Sequence, residues 1–336
     1  MRFSILLLSL VVAKGQAARP FLNEPDTGIA TFLGAATPTE ASGKLISLND
    51  ILTVPDFEFA ARAYMTSRNY SYYRTGAAGE YTYRENLETY NKVKLRPRVL
   101  KDVTHVQNTL NTTILGYTFS APFFISPAAR GYRANTQGEL GLVKGAATGN
   151  ILYIPSLFAD LSIPQIAAAK VPGQITFQQL YVRDSLAEVK SNIAAAEAAG
   201  SKAIVWSVDN AWGPARARSA RWTHSEATYD YIPSTWDLYA TLKNLTKLPI
   251  IPKGIQTVED ALLAVEHGAP AIFISNHGGR QLDTSQSTME VIMEIYNNAP
   301  QVFTQTEVLA DCGVRYGTDV LKLLAMGVKA VGMGRP

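Results

Sequence analysis

Eight short, almost wholly apolar runs, each followed by a segment of helical character, constrain this chain more than any other feature. They are Pro122–Ser126, Ile151–Pro155, Ile175–Tyr181, Ala203–Asp209, Pro249–Lys253, Ala271–Asn276, Glu307–Asp311 and Ala330–Gly334. Strands buried on both faces read this way, because neither face can tolerate a polar residue at every second position. The segments between them are Ala-rich and amphipathic, as in Ser191–Ala199 and Val258–Glu266, and two end on a glycine, Gly200 and Gly268, the residue that closes a helix most cheaply. Eight such units between residues 122 and 336 predict an α/β fold, a closed (β/α)8 TIM barrel. An open doubly wound sheet is the alternative. No G-x-G-x-x-G follows the first run, which weighs against its dinucleotide-binding form. The sequence stops at Pro336, directly after the eighth run, so the barrel is expected to lack its final helix.

Ahead of the barrel, apolar positions Leu48, Ile51, Leu52, Phe57, Phe59, Ala60, Ala63 and Tyr64 predict helix from Leu45 to Tyr73. A break at Gly76 and Gly79 precedes a second helical stretch to about Asn91. Residues 45–336 therefore read as one barrel domain with an N-terminal helical extension, and residues 19–44, rich in Ala, Thr, Pro and Gly, as a leader. Residues 1–18 carry Arg2, the apolar run Phe3–Ala13 and the small residues Gly15, Ala17 and Ala18. That is the pattern of a secretory signal, too short for a membrane-spanning helix; a buried N-terminal helix is the alternative. Export would make the sequons at Asn69, Asn111 and Asn244 usable, so a secreted glycoprotein is expected, without a membrane span once the signal is removed.

With 47% apolar residues the chain can fill a large core, and a net charge of +3 with no basic run argues against a nucleic-acid partner. The single cysteine, Cys312, excludes a disulfide framework and a cysteine-based zinc site, and no metal is expected. A homo-oligomer is left open.

In a barrel the chemistry sits where the strands end. The third run ends in Gln179 and Tyr181, the fourth in Asp209 and the fifth in Lys253. The sixth runs into Ser275-Asn276-His277-Gly278-Gly279-Arg280, the seventh into Asp311, Gly313 and Arg315, and the eighth into Gly334-Arg335. Any one of these residues is an ordinary loop polar group. Together, on one rim, they form a site. In SNHGGRQLD (275–283) the glycines let a flat ligand approach the backbone, the histidine can take a proton, and the arginine can grip a carboxylate with two parallel hydrogen bonds. Arg315 and Arg335, beside glycines on the last two strands, stand where barrels bind phosphate.

These segments resemble the FMN-dependent 2-hydroxy acid oxidase and dehydrogenase family, which includes glycolate oxidase, lactate oxidase and the flavin domain of flavocytochrome b2. Further anchors are Tyr72-Tyr73, LRPRVL (95–100), TTILG (112–116), SPAA (126–129), QQLYV (178–182), SVD (207–209), PKG (252–254) and ADCGVRYGTDV (310–320). The resemblance implies FMN as cofactor, a small 2-hydroxy acid as substrate and a 2-oxo acid as product. It implies His277 as base and Asp209 as its paired carboxylate. It places Tyr72, Tyr181 and Arg280 on the substrate, with Arg216 in place of a second substrate arginine. Ala128, Ala129, Ser156, Gln179, Ser207 and Ser275 would surround the flavin ring. Lys253 would face the flavin's N1–C2 carbonyl edge, where a fixed positive charge stabilises an anionic reduced flavin. Asp311, Gly313, Arg315, Gly334 and Arg335 would hold ribityl and phosphate. The sequence departs from the family after the fourth run, which reads Asp209-Asn210-Ala211-Trp212-Gly213-Pro214-Ala215-Arg216, and in a shortened stretch from Arg216 to Lys253. It also departs at Arg133-Ala134-Asn135-Thr136, where the family has His-Pro, and at Cys312, where it has glycine.

An active flavoenzyme is thus expected, with dioxygen as acceptor because no haem-binding segment precedes the barrel. The alternatives are a non-catalytic flavin-barrel binding protein and another flavin barrel, such as a type 2 isoprenoid isomerase. The His277–Arg280 pair, suited to a carboxylate substrate, argues against the latter.

Overall fold

The computed structural model describes residues 29, 33–34, 41–183, 185–210, 213, 215–223 and 232–336. The expected signal segment 1–18 and nearly all of the leader lie outside these residues.

Strands form where the apolar runs stand. A hairpin of β1 (Thr112–Ile114) and β2 (Tyr117–Phe119) precedes the parallel strands. These are β3 (Phe123–Ile125), β4 (Gln178–Leu180), β5 (Ile204–Ser207), β6 (Ile250–Ile255), β7 (Ala271–Ile274), β8 (Glu307–Ala310) and β9 (Ala330–Met333). They pair in the order β3-β9-β8-β7-β6-β5-β4. The remaining run, Ile151–Pro155, closes the circle through Tyr153, which bridges Ile125 on one side and Thr176 on the other. Ile125 N–H donates to Leu152 O (2.9 Å) and Ile154 N–H to Ile125 O (3.1 Å). On the far side Phe177 N–H donates to Tyr153 O (3.3 Å) and Gln179 N–H to Pro155 O (3.0 Å). All eight runs therefore occupy barrel positions, and backbone groups that would cost several kcal/mol each if buried unpaired are satisfied around the ring.

Alternate residues along each strand divide between two cores. Phe124, Leu152, Ile154, Phe177, Val205, Ile251, Phe273 and Leu309 fill the interior, while Ile204, Trp206, Ile250, Ile272, Ile274, Val308 and Val331 face outward. The outward residues meet helices such as Leu186–Ala198, Val258–Glu266 and Thr288–Asn298. Two-sided burial explains why the runs lack polar alternation. Ile114 and Phe119 of the hairpin join the interior core. Thr112 Oγ1 and Leu115 N–H bond to Lys329 O (3.3 Å) and the Glu307 carboxylate (2.9 Å), at the N-terminal ends of β9 and β8. The hairpin thus plugs the lower mouth and leaves the C-terminal rim for the site.

The N-terminal extension departs from its expected form. Instead of one helix from Leu45 to Tyr73 there are a 3-10 turn (Leu48–Asp50) and two helices, Asp56–Tyr64 and Ser67–Arg74. Pro55 can start a helix but not continue one, and Thr66 Oγ1 accepts from Asn69 N–H, so the chain restarts at each. The second stretch is helical over Tyr81–Lys92. No helix is described after β9, and no described helix is long and apolar enough to cross a membrane.

Candidate active site

A cavity of about 690 Å³ opens over the C-terminal rim. All the residues singled out in the sequence line it except Asp209 and Ser275, which stand one layer behind, against His277 and Lys253.

His277 leaves β7 in the left-handed conformation (φ 59°), followed by Gly278 (φ 66°) and Gly279 (φ 68°). Only glycine fits at 279, where a Cβ would stand 2.5 Å from Tyr83 N. Asn276 anchors the turn. Its Oδ1 accepts from Gly279 N–H (3.0 Å) and Asn86 Nδ2 (2.9 Å), and its Nδ2 donates to Asn86 Oδ1 (2.8 Å) and Gln286 O (3.0 Å). The turn presents His277 Nδ1 to Asp209 Oδ1 at 2.9 Å. An ionised carboxylate only accepts, so Nδ1 carries the proton and Nε2 is left with a free lone pair. Nε2 stands 3.4 Å from the Tyr181 hydroxyl. Burial pushes His277 below the ordinary histidine range; Asp209 opposes this without overcoming it, and Lys253 and Arg216 add to it. Burial works to raise Asp209, but the His277 contact outweighs it and holds the carboxyl low. The resting pair is therefore a neutral imidazole on a carboxylate, the state a general base needs. Gly254 (φ 111°) lets β6 pass alongside, where a Cβ would stand 2.5 Å from that of Asp209.

Lys253 Nζ donates to Ser275 Oγ (2.9 Å) and lies 3.6 Å from Asp311 Oδ2, which also accepts from Ser126 Oγ (3.0 Å). Burial disfavours the ammonium, but Asp311 and Asp209 outweigh it and hold Lys253 above its ordinary value. Gln179 Oε1 accepts from Ser156 Oγ (3.2 Å) and Leu157 N–H (2.9 Å), while its Nε2 donates to Ser207 Oγ (3.1 Å). Ala129 O accepts from the Tyr73 hydroxyl (3.2 Å). Cys312 is buried at φ 79°. Its Sγ accepts from Gly278 N–H (3.1 Å) and donates to Asp311 Oδ1 (2.9 Å), and burial with Asp311 beside it pushes the thiol up to about 12.

Arg280 Nη1 donates to Tyr72 O (2.7 Å) and Thr75 O (3.3 Å). Burial, then Arg216, pushes it down to about 9. Arg216 itself bonds Arg280 O (3.2 Å) and Gln281 Oε1 (3.1 Å). Arg335 lines the same cavity as Arg315, whose charge bears on it. Its guanidinium reaches Tyr73 O (3.0 Å), Thr75 O (2.7 Å) and Gly278 O, beside Arg280, and burial followed by Arg280 brings it to about 9. Arg315 Nη1 bonds only Val314 O (2.9 Å). Among the described residues, Arg280, Arg315 and Arg335 face one cavity with carbonyl oxygens and, for Arg280 and Arg335, the rings of Tyr72 and Tyr83 as partners but no carboxylate, and cations so placed call for an anion. A phosphate and a carboxylate fit this donor set, and Gln179, Ser156, Ser207 and Lys253 supply the polar edge that a flavin ring requires. Ala211, Trp212, Pro214 and residues 224–231 of the rebuilt loop lie outside the described residues.

The model of the family described as FMN-dependent dehydrogenase matches residues 61–229 and 223–336. The chain belongs to this family. Its curated relatives include an L-lactate dehydrogenase (cytochrome) from Wickerhamomyces anomalus, 34% identical over 312 residues, 86% of this chain but 54% of that protein. They also include a peroxisomal (S)-2-hydroxyacid oxidase from Arabidopsis thaliana, 35% identical over 318 residues, 86% of this chain and 85% of that one. Among solved structures, a mutant flavocytochrome b2 with pyruvate bound is 34% identical, with a TM-score of 0.82 over 87% of this chain and 76% of that one. As a member of the FMN-dependent dehydrogenases, the chain has the barrel that the family resemblance implied, and the residues named in the sequence gather at its C-terminal rim.

The sequence did not reveal the Asn86–Asn276 pair, the clamp of Glu80 on Arg218 (2.9 and 2.8 Å), or the placing of Arg133 on Tyr72 and of Phe158 on Tyr181. An asparagine facing the barrel from the helix Tyr81–Lys92 was the one available signal.

Proposed function

We propose that the protein oxidises 2-hydroxy acids to 2-oxo acids with FMN. The observation that carries this is the neutral imidazole of His277, its Nδ1 held by buried Asp209 and its Nε2 facing a cavity that also holds Arg280 without a carboxylate partner. Arg280 and the Tyr72 hydroxyl bind the substrate carboxylate, and the Tyr181 hydroxyl, which burial and then Asp209 keep protonated, donates to the substrate oxygen. His277 Nε2 takes the 2-hydroxyl proton as the O–H and C2–H bonds break and the C2=O bond forms. Asp209 stabilises the resulting imidazolium. Bound FMN would supply the acceptor for the C2 hydrogen, which leaves with its electron pair as a hydride equivalent. Lys253, permanently charged, offsets negative charge on the cofactor's edge.

Dioxygen, reduced to hydrogen peroxide, is the proposed final acceptor, supported by the oxidases among the relatives. Entry into the secretory pathway is also proposed, on the apolar Phe3–Ala13 run; N-terminal sequencing that finds an intact Met1 would refute it. Exposed Val99, Leu100 and Val103 support a homo-oligomer, to be tested by light scattering.

The decisive experiment reconstitutes the protein with FMN and adds 2-hydroxy acids anaerobically. Bleaching of the flavin band, with peroxide formed on admitting air, is expected. A protein that binds FMN but is bleached by none of them is a binding module, not an oxidase.

A further inference from the structure

Tyr72 is flanked by two guanidiniums. Arg280 Cζ lies 5.1 Å from its ring centroid and Arg133 Cζ 4.4 Å, so the two charges are no further apart than those distances together. Arg280 is committed to the substrate's own carboxylate in the function proposed above. Arg133 is not needed for that, nor for a phosphate held by Arg315. It ends the 3-10 turn Gly131–Arg133 and lines the cavity, and among the described residues its guanidinium lies on the face of Tyr72 and bears on Tyr73. The other cations near this end of the cavity are engaged: Arg74 lies against Glu58 and Glu80, and Arg130 against Asp160 (3.5 Å). Among the described residues no carboxylate pairs with Arg133, although a cavity-lining cation on a tyrosine face is poised to bind an anion.

We infer that the substrate carries a second carboxylate, held by Arg133: the protein is selective for 2-hydroxy dicarboxylic acids. Two carboxylates separated by three or four C–C bonds of about 1.5 Å each, with guanidinium nitrogens about 2.8 Å from each end, span the interval between Arg280 and Arg133 across Tyr72. The inference rests on the proposed 2-hydroxy acid oxidation and names the substrate class within it.

The test uses the FMN-loaded full chain. Flavin reduction is measured with (S)-malate, 2-hydroxyglutarate, (S)-lactate and mandelate, and binding of the products 2-oxoglutarate and pyruvate by calorimetry. The dicarboxylates are expected to give the higher kcat/KM and 2-oxoglutarate the tighter binding. Arg133→Gln should reduce the malate-to-lactate ratio of kcat/KM roughly 10- to 100-fold, the loss of one charge-assisted hydrogen-bonded contact, mostly through KM. Arg133→Lys, which keeps the charge, should recover part of the ratio. Flavin reduced preferentially by lactate or mandelate, with a ratio that Arg133→Gln does not move, overturns the inference and leaves the oxidation intact. Flavin reduced by none of the four acids overturns the oxidation itself, and the inference with it.

Discussion

Asp209→Asn isolates what the buried carboxylate does. Asparagine keeps an oxygen where Oδ1 accepts from His277 Nδ1–H at 2.9 Å, so the ring stays oriented and only the charge is lost. Among the described residues Asp209 Oδ2 has no hydrogen-bond partner, so besides the His277 contact the substitution removes only the charge felt by Lys253 and the carboxylate's contact with its own backbone. A carboxylate in direct contact raises a partner's pKa by about 1–3 units, each worth about 1.4 kcal/mol. The proton that His277 receives should therefore be less stable by about 1.4–4 kcal/mol, and flavin reduction slower by about 10- to 1,000-fold. The pH dependence fixes the sign. His277 works as a neutral base and is already held below its ordinary value by burial, so in the parent protein the reductive rate rises with pH through that depressed pKa and then levels. Without Asp209 the imidazolium loses its only opposing support, the pKa falls further, and the acid limb moves to lower pH while the plateau drops. Anaerobic stopped-flow reduction across pH, at saturating substrate, reads both. A plateau that keeps its parent height, or an acid limb that moves upward, would refute the assignment of Asp209 as the stabiliser of protonated His277.

His277→Gln should retain FMN, read from its visible absorbance, yet reduce it about 10²–10⁴-fold more slowly, because an amide cannot take the proton; reduction at the parent rate would move the base elsewhere. Arg280→Lys keeps a charge but loses the planar fork, so product binding by calorimetry should weaken together with the reductive rate, and unchanged affinity would argue against a two-point carboxylate grip. At Cys312 two variants separate strain from bonding. Cys312→Ala keeps a Cβ at φ 79° and loses the Sγ contacts to Gly278 N–H and Asp311, costing about 1–2 kcal/mol of stability, whereas Cys312→Gly recovers about 1 kcal/mol of left-handed strain. Denaturant unfolding should rank glycine above alanine, and the reverse order would mean that no strain is stored there.

The barrel was legible because its signal is local. Each strand is a contiguous apolar run, and a strand buried on both faces announces itself in four or five residues. The rim was legible for a related reason: Lys253 and Asp311 are the first polar residues after such a run, Asp209 and His277 follow within three residues of a strand's end, and the fold sends all those ends to one side. The N-terminal extension misled because the apolar spacing of Leu48 to Tyr64 continues through Pro55, where the backbone cannot. What was not legible is pairing at long range. Asn86 and Asn276 are 190 residues apart, Glu80 and Arg218 are 138 apart, and none of the four stands out among its neighbours. Arg133 looked like an ordinary cation in a departing segment; its meaning depends on the ring of Tyr72, which only the folded chain brings beneath it.

The two ends of the barrel are built to opposite ends of the stability scale. At the lower mouth the hairpin adds Ile114 and Phe119 to the interior core and leaves the chain well paired. At the upper rim the chain accepts what a core would reject: His277 and Cys312 in left-handed backbone, and Arg280 and Arg335 facing a cavity with carbonyls and tyrosine rings but, among the described residues, no carboxylate for partners. Each left-handed non-glycine residue costs on the order of 1 kcal/mol, and each desolvated guanidinium costs more than a few carbonyl contacts return. Relaxing any of them would stabilise the protein. Yet the left-handed turn is what aims the His277 imidazole at Asp209, and a protein carboxylate on Arg280 would fill the place of the substrate's own. The rim is therefore stable only by virtue of the rest of the barrel, and an anion that binds there offsets part of that cost on arrival.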